Sequence, residues 1–564
     1  MATAIRHDSA DSPGVTTVAE IPQLDPKPHE RLFDLDTVFS ETRFCHHTTG
    51  EERVVAPPAK LANCTDPANW SPGHKWFSVS IACASVAMSS FAAGSYGPIV
   101  DLLAEYWNLS ELVSNVGILI FALGFATSPM VLAPLSELSG RKPVILGSGL
   151  MFLIFTIGCS VAKVYWVMLF CRFFAAFGSA TFAMGNGVIT DIYDRDSQNT
   201  PMALFASAAV SGIGLGPLVC GFIAEYADWR WVFHLQTIIV AVLIGLTACF
   251  GRESRVNPIL TQKAKVLNNW YEKQERQGYY ALVAKKEESE ALNVLQSTRC
   301  RPRLQGDEPS GLWQIFIQAT IFPAKLLVTE GVVFFFSLWA TFSWSVLYVC
   351  ISGVSKMYQE QYGFSLSQSN AIFAAVCVGG IVGGVLGVFQ EMFGRYCFWM
   401  IGGSPEARLY FIRLEATLLP IGLIVFGWGG EEQVHWMVPA IAVGIGSVGI
   451  TVIYLAVFNY LSDSYGDNSS SAIAAQNLMR NGVCGFFVLF TAPKFDALGY
   501  GVGCSIFAGI GLVLSLVPWV LARWGRRIRK NSAIAKKPPE SAILDETLVE
   551  AQAELRHPPG KIHY

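Results

Sequence analysis

Residues 112–162 read LVSNVGILIFALGFATSPMVLAPLSELSGRKPVILGSGLMFLIFTIGCSVA. Two apolar stretches of about 20 residues flank one compact charged turn, and at 1.5 Å rise per residue each can cross ~30 Å of hydrocarbon. In that medium a lone segment satisfies its own backbone polar groups only as a helix. The stretch therefore reads as two membrane helices joined by a tight turn, Glu137 to Lys142.

Working outward, apolar runs of the same length recur along the chain. The first six are 76–98, 112–134, 143–162, 164–187, 202–225 and 231–250; the second six are 327–352, 367–389, 410–428, 435–461, 471–492 and 499–522. Between the sets lies a polar segment, 251–326, with helical stretches expected at Gln262 to Trp270 and Ala281 to Leu295. Residues 1–75 and 523–564 read as polar tails. Residues 1–75 show no basic start followed by an apolar core, so the first run is expected to direct insertion itself. Composition agrees: of 564 residues 52% are hydrophobic and only 15% charged, against about 25% charged in soluble domains.

Several function classes lose support. A net charge of -3 gives no electrostatic basis for a nucleic-acid partner. The thirteen cysteines contain no CxxC pair, and Cys45, His46 and His47 lack a second ligand group nearby, so neither metal nor cofactor is expected. No GxxxxGK[ST] sequence is present to hold ATP, and no nucleophile, base and orienting group recur together as an enzyme needs.

Basic residues set the orientation, because Lys and Arg resist translocation. Arg141, Lys142, Arg195, Arg395, Arg408 and the Arg523–Lys530 cluster fall on one side, which is read as cytoplasmic together with both termini and the central segment. The first opposite loop holds Asn108-Leu-Ser110, a glycosylation sequon. Two short patterns repeat in matching slots: Glu137-x-x-Gly140-Arg141 with Glu391-x-x-Gly394-Arg395, and Asp191-x-Tyr193 with Asp463-x-Tyr465. The fold expected is an all-α membrane protein of twelve transmembrane helices in two pseudo-symmetric six-helix bundles, with a substrate path between them.

The turn after the second run carries acid and base together. Arg141 is expected to pair with Asp191, and Glu137 to meet the positive N-terminal end of the helix starting near Ser469 to Ser471, latching the halves; solvated charges in a basic loop are the alternative. The segment Pro134-Leu-Ser-Glu137-Leu-Ser-Gly140-Arg141-Lys142 resembles the signature loop of the major facilitator superfamily, with Glu137 in place of Asp and Leu138 where Arg is usual. In the fifth run, Gly212-x-x-x-Gly216-Pro217-x-x-Cys220-Gly221 is similar to the superfamily's antiporter signature, except at Cys220. Small residues four apart let helices approach closely, and Pro217 removes a backbone bond. The segments Asn69-Trp-Ser, Asp228-Trp-Arg-Trp-Val-Phe233 and Ser404-Pro-Glu-Ala-Arg-Leu409 narrow the likeness to the fungal twelve-helix drug:proton antiporter branch.

That resemblance implies export of drugs, toxins or secondary metabolites against protons by a plasma-membrane monomer. Arg172 matches the fourth-run signature whose Arg is associated with proton transfer. An intramembrane Arg is costly unless paired or hydrated, so Arg172 is expected to face the central cavity. Arg480 is the second buried cation, beside Gln476, Asn477 and Asn481. A structural clamp on backbone carbonyls is the alternative for both. In the seventh run Trp339, Phe342, Trp344 and Tyr348 are candidate walls of a pocket for flat molecules. No acid lies inside the first run, so the residues do not name a proton carrier. Uptake or polyamine transport by the same fold, or a sensor without turnover, remains open.

Overall fold

The computed structural model describes residues 24–34, 37, 42–49, 51–58, 61, 64–194, 197–286, 291–302, 312–398, 409–465, 469–490, 495 and 497–531. Arg195 and Arg408 lie outside these, as does Ser404-Pro-Glu-Ala-Arg; so do the side chains of Glu391, Arg395 and most of the basic cluster after Arg523. The described parts of Met1–Asp66 and Val256–Gly306 form one compact unit, and those of Pro67–Arg255 and Asp307–Tyr564 another.

The larger unit is helical. Its first half comprises α1 (Pro72–Gly94), α2 (Val100–Trp107), α3 (Glu111–Ser139), α4 (Arg141–Val161), α5 (Tyr165–Phe182), α6 (Gly185–Ile192), α7 (Asn199–Tyr226) and α8 (Arg230–Phe250). After α9 (Val256–Glu275), which belongs to the smaller unit, the second half runs α10 (Leu312–Thr329), α11 (Gly331–Tyr362), α12 (Leu366–Ala371), α13 (Ala374–Phe398), α14 (Leu409–Glu415), α15 (Leu418–Glu431), α16 (Met437–Tyr465), α17 (Ser469–Leu489), α18 (Tyr500–Leu514) and α19 (Val517–Asn531). Among the described residues, eleven helices are long and apolar enough to cross a membrane. The twelfth expected crossing is α17, whose Gln476, Asn477, Arg480 and Asn481 dilute its hydropathy. Ile238, Val242 and Phe250 on α8, and Val378, Ile381 and Phe389 on α13, are each more than half exposed. Apolar faces of this extent suit lipid.

Local chemistry sets the helix ends. Ser110 Oγ accepts from Val113 N–H at 3.4 Å, capping α3. Gly140, at φ +103°, turns the chain from α3 directly into α4, a conformation that strains any L side chain.

Helices of the first half interlock through small residues. A Cβ on Gly212 would sit 2.4 Å from Ala87 O, and one on Gly216 2.7 Å from Ser95 N, so α7 lies against α1 at backbone distance. The seam between halves is built in the same way. A Cβ on Gly384 of α13 would fall 2.7 Å from Ser207 Cβ of α7, while Ser207 Oγ donates to Gly380 O at 2.8 Å. Likewise α3 meets α17 where a Cβ on Gly485 would lie 2.8 Å from Ala122 Cβ.

The smaller unit corrects the reading of 281–295 as helical. These residues form strands β4 (Tyr279–Lys286) and β5 (Ala291–Pro302), which join β1 (Leu24–Phe33), β2 (Thr42–His46) and β3 (Glu52–Val55) in a five-stranded sheet of order β1-β5-β4-β2-β3. The β1–β5 pair is parallel; the remaining pairs are antiparallel. Leu260, Ala264, Leu267 and Tyr271 recur along one face of α9 and form a core with Phe33, Phe44 and Cys300. Burial pushes the Cys300 thiol up to about 11. Cys45 and His46 lie on β2, which pairs with β4.

Candidate functional site

The positive φ of Gly140 starts α4 with no intervening loop, leaving its first N–H groups in need of acceptors. Glu253, just beyond α8, supplies them: its carboxylate accepts from Arg141 N at 2.8 Å and Lys142 N at 3.1 Å, at the positive end of a 21-residue helix. The Arg141 side chain is thereby aimed inward. Its Nε donates to Asp191 Oδ2 at 3.1 Å and its Nη1 to Ser136 Oγ at 3.1 Å. Asp191 also accepts from Ser254 Oγ at 3.2 Å and Arg255 Nη1 at 3.4 Å. The expected Arg141–Asp191 pair is therefore present. The latch between halves is not present among the described residues, where Glu137 faces Arg255 at 4.0 Å. No contact of Glu137 with the α17 N-terminus occurs among the described residues. The network closes on the first bundle because Arg255, following α8, reaches the acids first.

Arg172, on α5, is fully buried but is not among the residues that line the central cavity. Its Nε donates to Gly117 O at 2.8 Å, and its guanidinium lies 4.0 Å from the Tyr96 ring centroid and 4.8 Å from that of Phe121. The cation thus binds α5 to α3 and to the end of α1, and the expectation that it faces the cavity is corrected. The missing side chain of Gly117 makes room for the Tyr96 ring, and two aromatic faces and one carbonyl meet part of the cation, while Nη2 has no hydrogen-bond partner among the described residues.

The cavity lies between the two bundles, where ≈ 1050 Å³ of empty space includes the part open to solvent. Ser90, Phe205, Ala209 and Ile213 wall it from the first half; Trp344, Tyr348, Tyr454, Phe458, Asn477 and Arg480 wall it from the second. It continues past Thr190 and Ser469 to Arg141, so it reaches the bundle end that carries the charged network. Toward the opposite end the halves are joined by Glu225, which accepts from Ser367 N at 2.5 Å, and by Gly221, whose Cβ would lie 2.4 Å from Asn370 Cβ. Near the Arg141 end Asn459 Nδ2 donates to Asn199 Oδ1 at 2.5 Å, also across the halves.

Of the expected pocket residues, Trp344, Tyr348 and Asn477 line the cavity. Trp339 and Phe342 do not: Trp339 packs on Phe336 and Phe342 on Phe507, within the second bundle. Gln476 is buried one position away from the wall. Gly212, Gly216 and Pro217 serve α1–α7 packing, and Gly221 the seam to α12. Arg480, unlike Arg172, lines the cavity. Its guanidinium lies 4.3 Å from the Trp344 ring and 4.9 Å from that of Tyr454, and Nη2 donates to Asn477 Oδ1 at 2.8 Å.

A sequence profile described as Major Facilitator Superfamily matches residues 82–489. The chain belongs to the major facilitator superfamily. As a member it is a multi-pass membrane transporter. Transporter C36.02c of Schizosaccharomyces pombe is 30% identical over 86% of this chain and 81% of its own. Efflux pump radE of Floropilus chiversii is 26% identical over 93% of this chain and 91% of its own. The partially occluded, inward-open structure of the xylose transporter XylE from E. coli superimposes with a TM-score of 0.53 at 14% identity, covering 79% of this chain and 99% of that one. These matches place the cavity in a major facilitator fold.

Glu253, Ser254, Arg255 and Tyr454 were not singled out from sequence. The charged run Arg252-Glu-Ser-Arg255 directly after an apolar span was the available signal for the first three.

Proposed function

We propose that this transporter exports small organic molecules by proton antiport with alternating access, as a plasma-membrane monomer whose termini and central segment are cytoplasmic. The observation that carries the reading is the aromatic-walled cavity to which both bundles contribute. Bundles 76–250 and 327–522 are the moving parts; 1–75, 251–326 and 523–564 stay outside the membrane. The basic loops put the Arg141 end in the cytoplasm, so the cavity is loaded from inside. Fungal relatives that include a named efflux pump support the outward direction. Arg172, Glu137, Arg141, Asp191 and Arg480 are the candidates for coupling.

The test is a resistance and efflux screen in a pump-deleted yeast, with an uncoupler control. Outward flux that collapses with the proton gradient is expected. Flux driven only by an imposed inward substrate gradient points to uptake, and binding without movement of any compound points to a sensor.

A further inference from the structure

Resting on the reading of the cavity as the transport path, we propose that its preferred substrates are aromatic organic anions, carboxylates or enolates, held by Arg480. The argument begins with charge. Arg141 and Arg480 are the two cationic side chains among the described residues lining the cavity, and no Asp or Glu is among them. Arg141 is neutralised by Asp191 at 3.1 Å. Arg480 forms no ion pair among the described residues; its one hydrogen bond goes to the neutral Asn477.

Arg480 is 3% exposed, and its Nε and Nη1 have no hydrogen-bond partner among the described residues. A buried cation with free N–H groups, in a chamber whose described lining holds no acid, is a site suited to an anion. Its surroundings specify the rest of the ligand. Trp344 and Tyr454 lie 4.9 Å apart between centroids, tilted by 30°, and both carry the Arg480 cation at their rings, while Tyr348 and Phe458 extend the aromatic wall. A flat ring can lie along these faces while its acidic group meets Arg480. A cationic compound of the same shape meets like charge with no acid to offset it.

The matched probes are two dyes on one tricyclic skeleton, anionic fluorescein and cationic rhodamine 6G. Both are titrated against the full chain in phosphatidylcholine nanodiscs at neutral pH, with empty nanodiscs subtracted. Fluorescein is expected to bind at least tenfold more tightly. Arg480→Gln should weaken fluorescein at least tenfold and erase the preference, and Arg480→Lys should keep part of it. Should either variant fail to fold, the wild type still decides: 1-naphthoate must displace bound fluorescein at a concentration at least tenfold lower than 1-naphthylmethylamine. Equal displacement, a preference for the cation, or binding of neither dye overturns the assignment. Fluorescein that binds with this charge dependence but is not moved by energised vesicles would leave the assignment standing and remove the exporter reading instead.

Discussion

Arg141 Nε sits 3.1 Å from Asp191 Oδ2, with both side chains nearly buried at 6% and 10% exposure. Asp191 also holds Arg255 and Ser254, so one carboxylate pairs with two guanidiniums from different segments. Removing one partner of a buried pair costs about 3–5 kcal/mol, because the other charge stays behind. Asp191→Asn is therefore expected to lower the melting temperature in detergent and reduce transport at least tenfold. Glu137→Gln should be far milder, since its pair with Arg255 is 4.0 Å long and a third exposed on each side. Equal losses for the two variants would show that the network acts through Glu137 instead.

Arg172 offers a different test. Its fixed contacts, Gly117 O and the Tyr96 and Phe121 rings, lie behind the cavity wall. Arg172→Ala should thus reduce thermal stability and transport together, and Arg172→Lys, which keeps the charge but loses the guanidinium plane, should restore only part of each. Abolished transport at unchanged melting temperature would give Arg172 a direct part in proton coupling rather than a structural one.

The twelve runs are legible because hydrocarbon imposes length and apolarity on every crossing; even the polar α17 keeps a run, 471–492, in the sequence. The Arg141–Asp191 pair was legible because acid and base stood at adjacent helix ends. What sequence could not supply was direction. Trp339 and Tyr348 share a helix and a residue class, yet one faces its own bundle and the other the cavity, since nine residues at 100° each rotate them onto different faces. The sheet escaped for another reason: β1 pairs with β5 across more than 250 residues, and no local pattern in Ala281 to Leu295 announces a partner so far away.

Asn108 ends α2 in the left-handed region at φ +52° and is exposed, so its side chain is open to modification. If this end of the bundle is extracellular as proposed, material expressed in yeast should carry one N-glycan there. Asn108→Gln should then abolish the mobility shift produced by glycosidase treatment. A shift that survives the substitution would place the sugar elsewhere, and no shift in the wild type would leave the sequon unused.

Two glycine contacts separate packing within a bundle from packing between bundles. Gly216 faces the α1 backbone inside the first bundle, whereas Gly384 faces Ser207 across the seam. In alternating access the first contact persists through the cycle and the second must open and close. Gly216→Val forces α7 away from backbone atoms that cannot yield, a cost of about 1–3 kcal/mol or more, so stability and flux should both fall. Gly384→Ala adds one methyl group at a contact that the cycle already breaks. It should disfavour the closed seam and change flux with a smaller effect on melting. Gly147→Ala, where no atom lies within 4 Å of the new methyl group, should leave both within error. If Gly384→Ala destabilises as severely as Gly216→Val, the seam is a fixed core contact and the two halves do not rock.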